Sequence, residues 1–151
     1  MPQFSPPAST AIPAIKEAIF ETLKEAAEGG PLDGIPVTDD KEPDREKEYV
    51  WVWKAKAKRA FKLLGPQPAR QDEMINVFLR IVAIKDSEKL KPSEERAVEI
   101  FKAVEEALRA DITLKGKAFW HLIEDVEIAP VKFDKKRGCH VIAVVSAKAR
   151  I

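Results

Sequence analysis

Two stretches of the chain carry apolar residues at helical spacing. In the first, Ile12, Ile15, Ile19, Leu23 and Ala26 recur at three- and four-residue steps and make one stripe, with Glu17, Glu21, Lys24, Glu25 and Glu28 opposite. The spacing predicts a helix over 11–28, capped by Ser9 or Thr10. Pro13 falls in its first turn, where a missing N–H costs little, and Gly29-Gly30-Pro31 ends it. In the second stretch, Ala97, Ile100, Phe101, Val104, Ala107 and Leu108 form the stripe, and Glu95, Arg96, Glu99, Lys102, Glu106 and Arg109 fill the polar face. This helix is expected to start at Ser93, with Glu94 and Glu95 at the positive end of its dipole.

Elsewhere the period is two. Over 49–57, Tyr49, Trp51, Trp53, Ala55 and Ala57 fall on one face, and Val50, Val52, Lys54, Lys56 and Lys58 on the other. Phe61, Leu63 and Leu64 extend the apolar content to a turn at Gly65-Pro66-Gln67-Pro68. Runs over 73–85, 117–130 and 138–150 read as further strands, the last two joined by a turn at Asp134-Lys135-Lys136-Arg137-Gly138. The short segment 34–38 contains Pro36, which suits a sheet edge. The order α, short β, β, β, α, β, β implies an α+β domain with a mostly antiparallel sheet of about four strands packed with two helices. Residues 1–10, rich in proline, are expected to form an extended arm, and 11–151 a single domain.

Several strands are apolar on both faces. Ile75, Val77, Leu79 and Ile81 oppose Met74, Phe78, Val82 and Ile84; Val141, Ala143 and Val145 oppose Ile142 and Val144. Two helices leave part of such a sheet uncovered, and large uncovered apolar surfaces mark interfaces, so an oligomer is expected. Phe20, on the flank of the first helical stripe, is a core-edge residue or an intermolecular contact. The charged segment 39–48, with Asp39, Asp40, Glu42 and Asp44, is a solvated loop or one ordered against a neighbouring subunit.

Composition changes the picture by exclusion. The chain has 151 residues, 45% of them hydrophobic, enough for a core. Its 26 basic and 25 acidic residues leave a formal charge of +1, which argues against a dedicated nucleic-acid binder. The start of the chain carries neither a basic region nor an apolar one of the secretory kind, and no apolar run approaches membrane-spanning length. A soluble protein made in the cytoplasm, with no membrane partner, is expected.

Candidate chemistry is thin. Cys139 is the one cysteine, and on a strand it points away from its neighbour His140. His121 and His140 lie on the two last strands, but no C-x-x-C or H-x-x-x-H spacing accompanies them, so no metal, cofactor or catalytic role is assigned. Glu124, Asp125 and Glu127 read as solvated strand-end charges. The densest basic stretch is Lys54-Ala55-Lys56-Ala57-Lys58-Arg59. On the alternation above, its lysines face away from the tryptophans, whereas a stacking platform for single strands needs both on one face.

Five stretches carry a resemblance to a known family: the helix over 12–27, the extended 35–38 with its charged loop, the strand over 49–53, Arg70-Gln71-Asp72-Glu73 leading into a long strand, and the second helix running into Ala110-Asp111-Ile112-Thr113-Leu114-Lys115-Gly116. Together they resemble the tail terminator, or tail-completion, proteins of long non-contractile-tailed phages, in which a similar A-D-x-T-L-x-G run precedes the last hairpin. The proline-rich start and the lysine-rich strand have no counterpart in that pattern. The resemblance implies a non-enzymatic virion protein of the tail or neck, assembled in the host cytoplasm. It implies a homo-oligomeric, typically hexameric, ring that caps the tail tube, stops tube polymerisation and meets the head-completion or connector protein. DNA would pass through the lumen without specific binding. Phe20, Asp39, Asp40, Glu42, Asp44, Trp51 and Trp53 are the candidate interface residues. The alternatives are another neck or head–tail connector protein, a small nucleic-acid-binding domain using the lysine-rich strand or, last, a hydrolase-like enzyme using His121 or His140.

Overall fold

In the computed structural model, which describes residues 10–43, 46–60, 72–85, 89–133 and 136–150, the two apolar helical stripes lie side by side on one face of a twisted sheet. Helix α1 spans Ile12–Ala26 and α2 spans Lys91–Arg109. The strands are β1 (Val37–Thr38), β2 (Glu48–Ala60), β3 (Asp72–Ile84), β4 (Trp120–Phe133) and β5 (Lys136–Arg150). The sheet order is β1-β2-β3-β5-β4. The α+β class and the element order are as expected, but the sheet has five strands, and β1 pairs with β2 in parallel while all other pairs are antiparallel. The proline-rich residues 1–9, Asp44, the segment 61–71 and residues 134–135 lie outside the described residues.

The core is one layer between helices and sheet. Ile15, Ala18, Ile19 and Leu23 of α1 and Ala97, Ile100, Val104, Ala107 and Leu108 of α2 pack on Val50, Val52, Ile75, Val77, Leu79, Ile81, Val141, Ala143 and Val145. Phe101 and Phe20 are only partly buried at its margin. The other face is covered locally by a small cluster of Tyr49, Val82 and Ile84 with Trp51 against it, at the end of the sheet where β2 begins. On the rest of that face, Met74, Phe78, Ile142 and Val144 of β3 and β5 are partly exposed.

Helix starts differ from expectation in instructive ways. Ser9 lies outside the described residues, and Thr10, whose hydroxyl accepts the Ile12 N–H (3.2 Å), does not act alone at the start of α1. The fully buried carboxylate of Glu73, from β3, accepts the Ala11 N–H (2.7 Å) and the Thr10 hydroxyl (2.9 Å), placing an anion at the positive end of the dipole. Helix α2 starts at Lys91, with Leu90 at the N-cap, because Pro92 is suited to the first turn. Ser93 is therefore inside the helix and buried. Its hydroxyl accepts the Lys85 N–H (3.0 Å) and lies 3.3 Å from the Arg137 carbonyl, tying the helix to the ends of β3 and β5.

Two turns position the last hairpin. After α2, Asp111 accepts the Lys115 N–H (2.7 Å), and Leu114 and Lys115 both adopt positive φ (49° and 58°) before Gly116 (78°). Non-glycine residues seldom adopt that conformation; here it turns the fully buried Leu114 into the core. Gly138 is not a turn residue, as the sequence suggested, but lies within β5 opposite Ile84, since β4 and β5 extend to Phe133 and Lys136. A Cβ at Gly138 would meet the Ile84 side chain at 2.8 Å.

Candidate functional site

The sheet face away from the helices is the largest feature that the core leaves unexplained, and a single irregularity decides its chemistry. Val50 and Val52 of β2 point to the helices. Between Val52 and Lys54 the register shifts by one residue, Trp53 having no partner, so Ala55 and Ala57 pair with Val77 and Ile75 on the helix side. A β-bulge inverts the alternation of everything beyond it. Consequently Tyr49 and Trp51 share the open face with Lys54, Lys56 and Lys58. This corrects the face assignment made from strict alternation, which set the tryptophans against the lysines.

The aromatic and basic groups also touch. The Trp51 and Trp53 rings lie 5.4 Å apart, and Lys54 Nζ sits 4.4 Å from the centre of the Trp53 ring and 5.0 Å from that of Phe78. Such cation–π contacts are worth about 0.5–1 kcal/mol at exposed sites. Lys54, Lys56 and Lys58 are exposed.

A second bulge, between Ile123 and Asp125, acts in the same way on β4. Asp125 and Glu127 pair with Val144 and Ile142, placing both acids on the open face. Val126 and Ile128 pair with Ala143 and Val141 on the helix side but remain exposed, because α2 stops short of this edge. Glu124, the extra residue, bonds the Ser146 hydroxyl. The open face is thus basic along the β2 edge and acidic along the β4 edge.

Between them, Glu42 folds over the start of β2 and the end of β3 instead of lying free in a charged loop. Its carboxylate accepts both the Tyr49 hydroxyl and an Arg80 guanidinium N–H. Arg80 donates through Nε to His140 Nδ1 (3.2 Å). Burial, and then the Arg80 charge, hold His140 below the usual histidine range, so it serves as a neutral acceptor. Burial raises the Cys139 thiol, which faces the core. His121 points to the helix side, where its Nδ1 lies 2.7 Å from the Ile112 carbonyl. The two histidines therefore do not meet across the hairpin: His121 pairs with Ala147 and His140 with Ala129. Among the described residues no group of three His, Cys, Asp or Glu side chains is placed to hold a metal ion.

The predicted interface residues are not brought to one place. Phe20 packs at the core margin with Lys24 Nζ 5.4 Å from its ring centre. Asp39 and Asp40 are exposed beyond β1, Glu42 is engaged internally, and Asp44 lies outside the described residues. Only Trp51 and Trp53 form a joint patch. Sequence reasoning passed over Val126 and Ile128, and read Asp125 and Glu127 only as solvated strand-end charges.

No helix among the described residues is long and apolar enough to cross a membrane. No protein-family model matches the chain, and no curated protein is similar to it. Among solved structures, the chain is similar to one described as the virion of a native gene transfer agent particle, with a TM-score of 0.58 at 13% identity, covering 95% of this chain and 100% of the other. At that identity the likeness establishes a shared fold.

Proposed function

We propose that this chain is a structural protein of a phage-like virion and, within it, the tail terminator. The observation that carries the reading is the fold shared along nearly the whole chain with a chain of a gene transfer agent virion, which agrees with the independent resemblance of its sequence stretches. Its work is then done by surfaces. Copies join into a ring, typically of six; one side of the ring is complementary to the last tier of tail tube, so that no further tube subunit adds, and the other meets the head-completion or connector protein. DNA passes through the lumen. The uncovered sheet face and the exposed apolar residues of β4 supply surface for such contacts. Negative-stain electron microscopy of the purified protein mixed with tail tubes tests the reading. A ring seated at one tube end is the expected image; a protein that never associates with tubes contradicts it. The nearest alternative within the class is another neck protein, which the same images would place on the connector.

A nucleic-acid-binding reading is the second, favoured by the bulge at Trp53, which brings Trp51 and three lysines onto one face. Under it, log affinity for duplex DNA falls with log salt by about 0.9 per phosphate neutralised. Replacing Lys54, Lys56 and Lys58 by Gln should then abolish binding, whereas the terminator reading expects little binding at physiological salt in either protein.

A further inference from the structure

Among the described residues both edges of the sheet are open over part of their length, and they are unlike. The exposed large hydrophobic residues of the described chain are Ile112, Phe119, Leu122, Val126 and Ile128, all on β4 or the turn that leads into it. Strand β4 is the last in the sheet order and pairs only with β5, leaving its outer edge unpaired among the described residues. At the opposite edge, β1 covers β2 only at Val50 and Trp51, so among the described residues the outer side of the stretch from Trp53 to Lys58 is likewise without a neighbouring strand. Long unpaired edges invite strand addition from another chain.

We infer that the occupant of each edge is a second copy of this chain, the outer edge of β4 in one subunit pairing antiparallel with the free half of β2 in the next. The inference rests on the ring reading for the closure of the chain of contacts. Three observations select this pairing. Strand direction is the first: β2, β3, β5 and β4 alternate, so copies related by rotation about an axis along the strands bring β4 beside β2 in antiparallel sense. Charge is the second. Asp125 and Glu127 lie on the open face at a two-residue step, as do Lys54, Lys56 and Lys58, so acids meet bases across the seam. Size is the third: on the helix side the exposed Val126 and Ile128 meet the small Ala55 and Ala57.

The same charges discriminate against the wrong assemblies. Two β4 edges facing each other would set acid against acid, and two β2 edges base against base, so a two-fold dimer through either edge is opposed. Only the head-to-tail pairing is complementary, and a head-to-tail contact generates a ring when its rotation closes.

The test uses charge reversal at exposed positions, with circular dichroism confirming that each variant is folded. One variant carries Lys54→Glu, Lys56→Glu and Lys58→Glu; the other carries Asp125→Lys and Glu127→Lys. Mass photometry of wild type should show closed rings, alone or on tail tubes. Each variant alone should lose at least tenfold in assembly, and a 1:1 mixture should recover rings containing equal numbers of the two. Wild-type rings with both variants assembling normally would overturn the edge pairing while leaving the ring reading intact. So would variants that fail alone and are not rescued by mixing, or a dimer as the wild-type end point. A wild type that stays monomeric even on tubes would overturn the ring reading and this pairing together. Lysine-dependent DNA binding with rings unaffected by either reversal would assign the basic strip to nucleic acid and overturn it as well.

Discussion

Ile100 is 1% exposed and sits under the sheet, while Phe101, its neighbour, lies half out of the core. Truncating a fully buried isoleucine removes transfer energy and leaves a cavity, so Ile100→Ala should cost about 2–5 kcal/mol in a denaturant titration. Phe101→Ala should cost less than the 3–5 kcal/mol usual for a fully buried phenylalanine. Glu99→Ala, on the polar face, should change stability by less than about 0.5 kcal/mol. Comparable losses for Ile100 and Glu99 would mean that the helix faces the sheet differently. Glu73 makes the sharper residue-scale case. It is fully buried and serves two groups at the start of α1, so Glu73→Ala leaves the part-buried Ala11 N–H without its acceptor and should cost about 1–3 kcal/mol, read by the same titration. A neutral result there would show that water or another residue can take over the capping.

Among elements, β2 departs furthest from its sequence pattern. Both helices and every long strand were legible from periodicity, because each buries one face and the spacing of its apolar residues records which. The face of the lysines was not, since one inserted residue inverts everything beyond it. A trace was present in the sequence all the same. Strict alternation put Val50 and Val52 on the same face as Lys54, Lys56 and Lys58, two buried residues followed by three exposed charges, and an extra residue at Trp53 resolves that conflict. The bulge in β4 left no such trace, because Asp125, Val126, Glu127 and Ile128 alternate correctly in either phase. Glu73 was missed for a different reason: its partners at residues 10 and 11 are distant in sequence, and only the fold brings them to it.

Between elements, Arg96 of α2 grips Glu48 at the start of β2 through two bonds (2.8 and 3.1 Å), with Lys85 3.3 Å away. The Arg96 hydrogen bonds, opposed by partial burial and aided by Lys85, hold the Glu48 carboxyl below its ordinary value of 4.5. A carboxylate whose pKa is depressed on folding contributes stability above its unfolded pKa and loses it as pH falls through the folded one. Wild type should therefore be more stable than Glu48→Gln at pH 7, and the gap should close as pH drops below about 4.5, measured by thermal unfolding across pH. A gap that persists unchanged at pH 2 would assign the effect to packing instead.

At the scale of the whole molecule, the sequence made it clear that surface would be left over, because strands apolar on both faces present more surface than two helices can cover. It did not show which surface. Periodicity assigns residues to faces, whereas an edge is defined by strand order, and β4 reaches the edge only because β5 folds back between it and β3. That arrangement leaves acids and exposed apolar residues at one end of the sheet and lysines at the other. It is a polarity suited to repetition of one subunit around an axis. As proposed, such a ring stops a tail tube from growing. Tail tubes should be incubated with this protein, then offered fresh tube subunits, and their lengths measured in electron micrographs. Tubes exposed to the protein should keep their original length at the capped end while untreated tubes extend; equal extension of both would contradict capping.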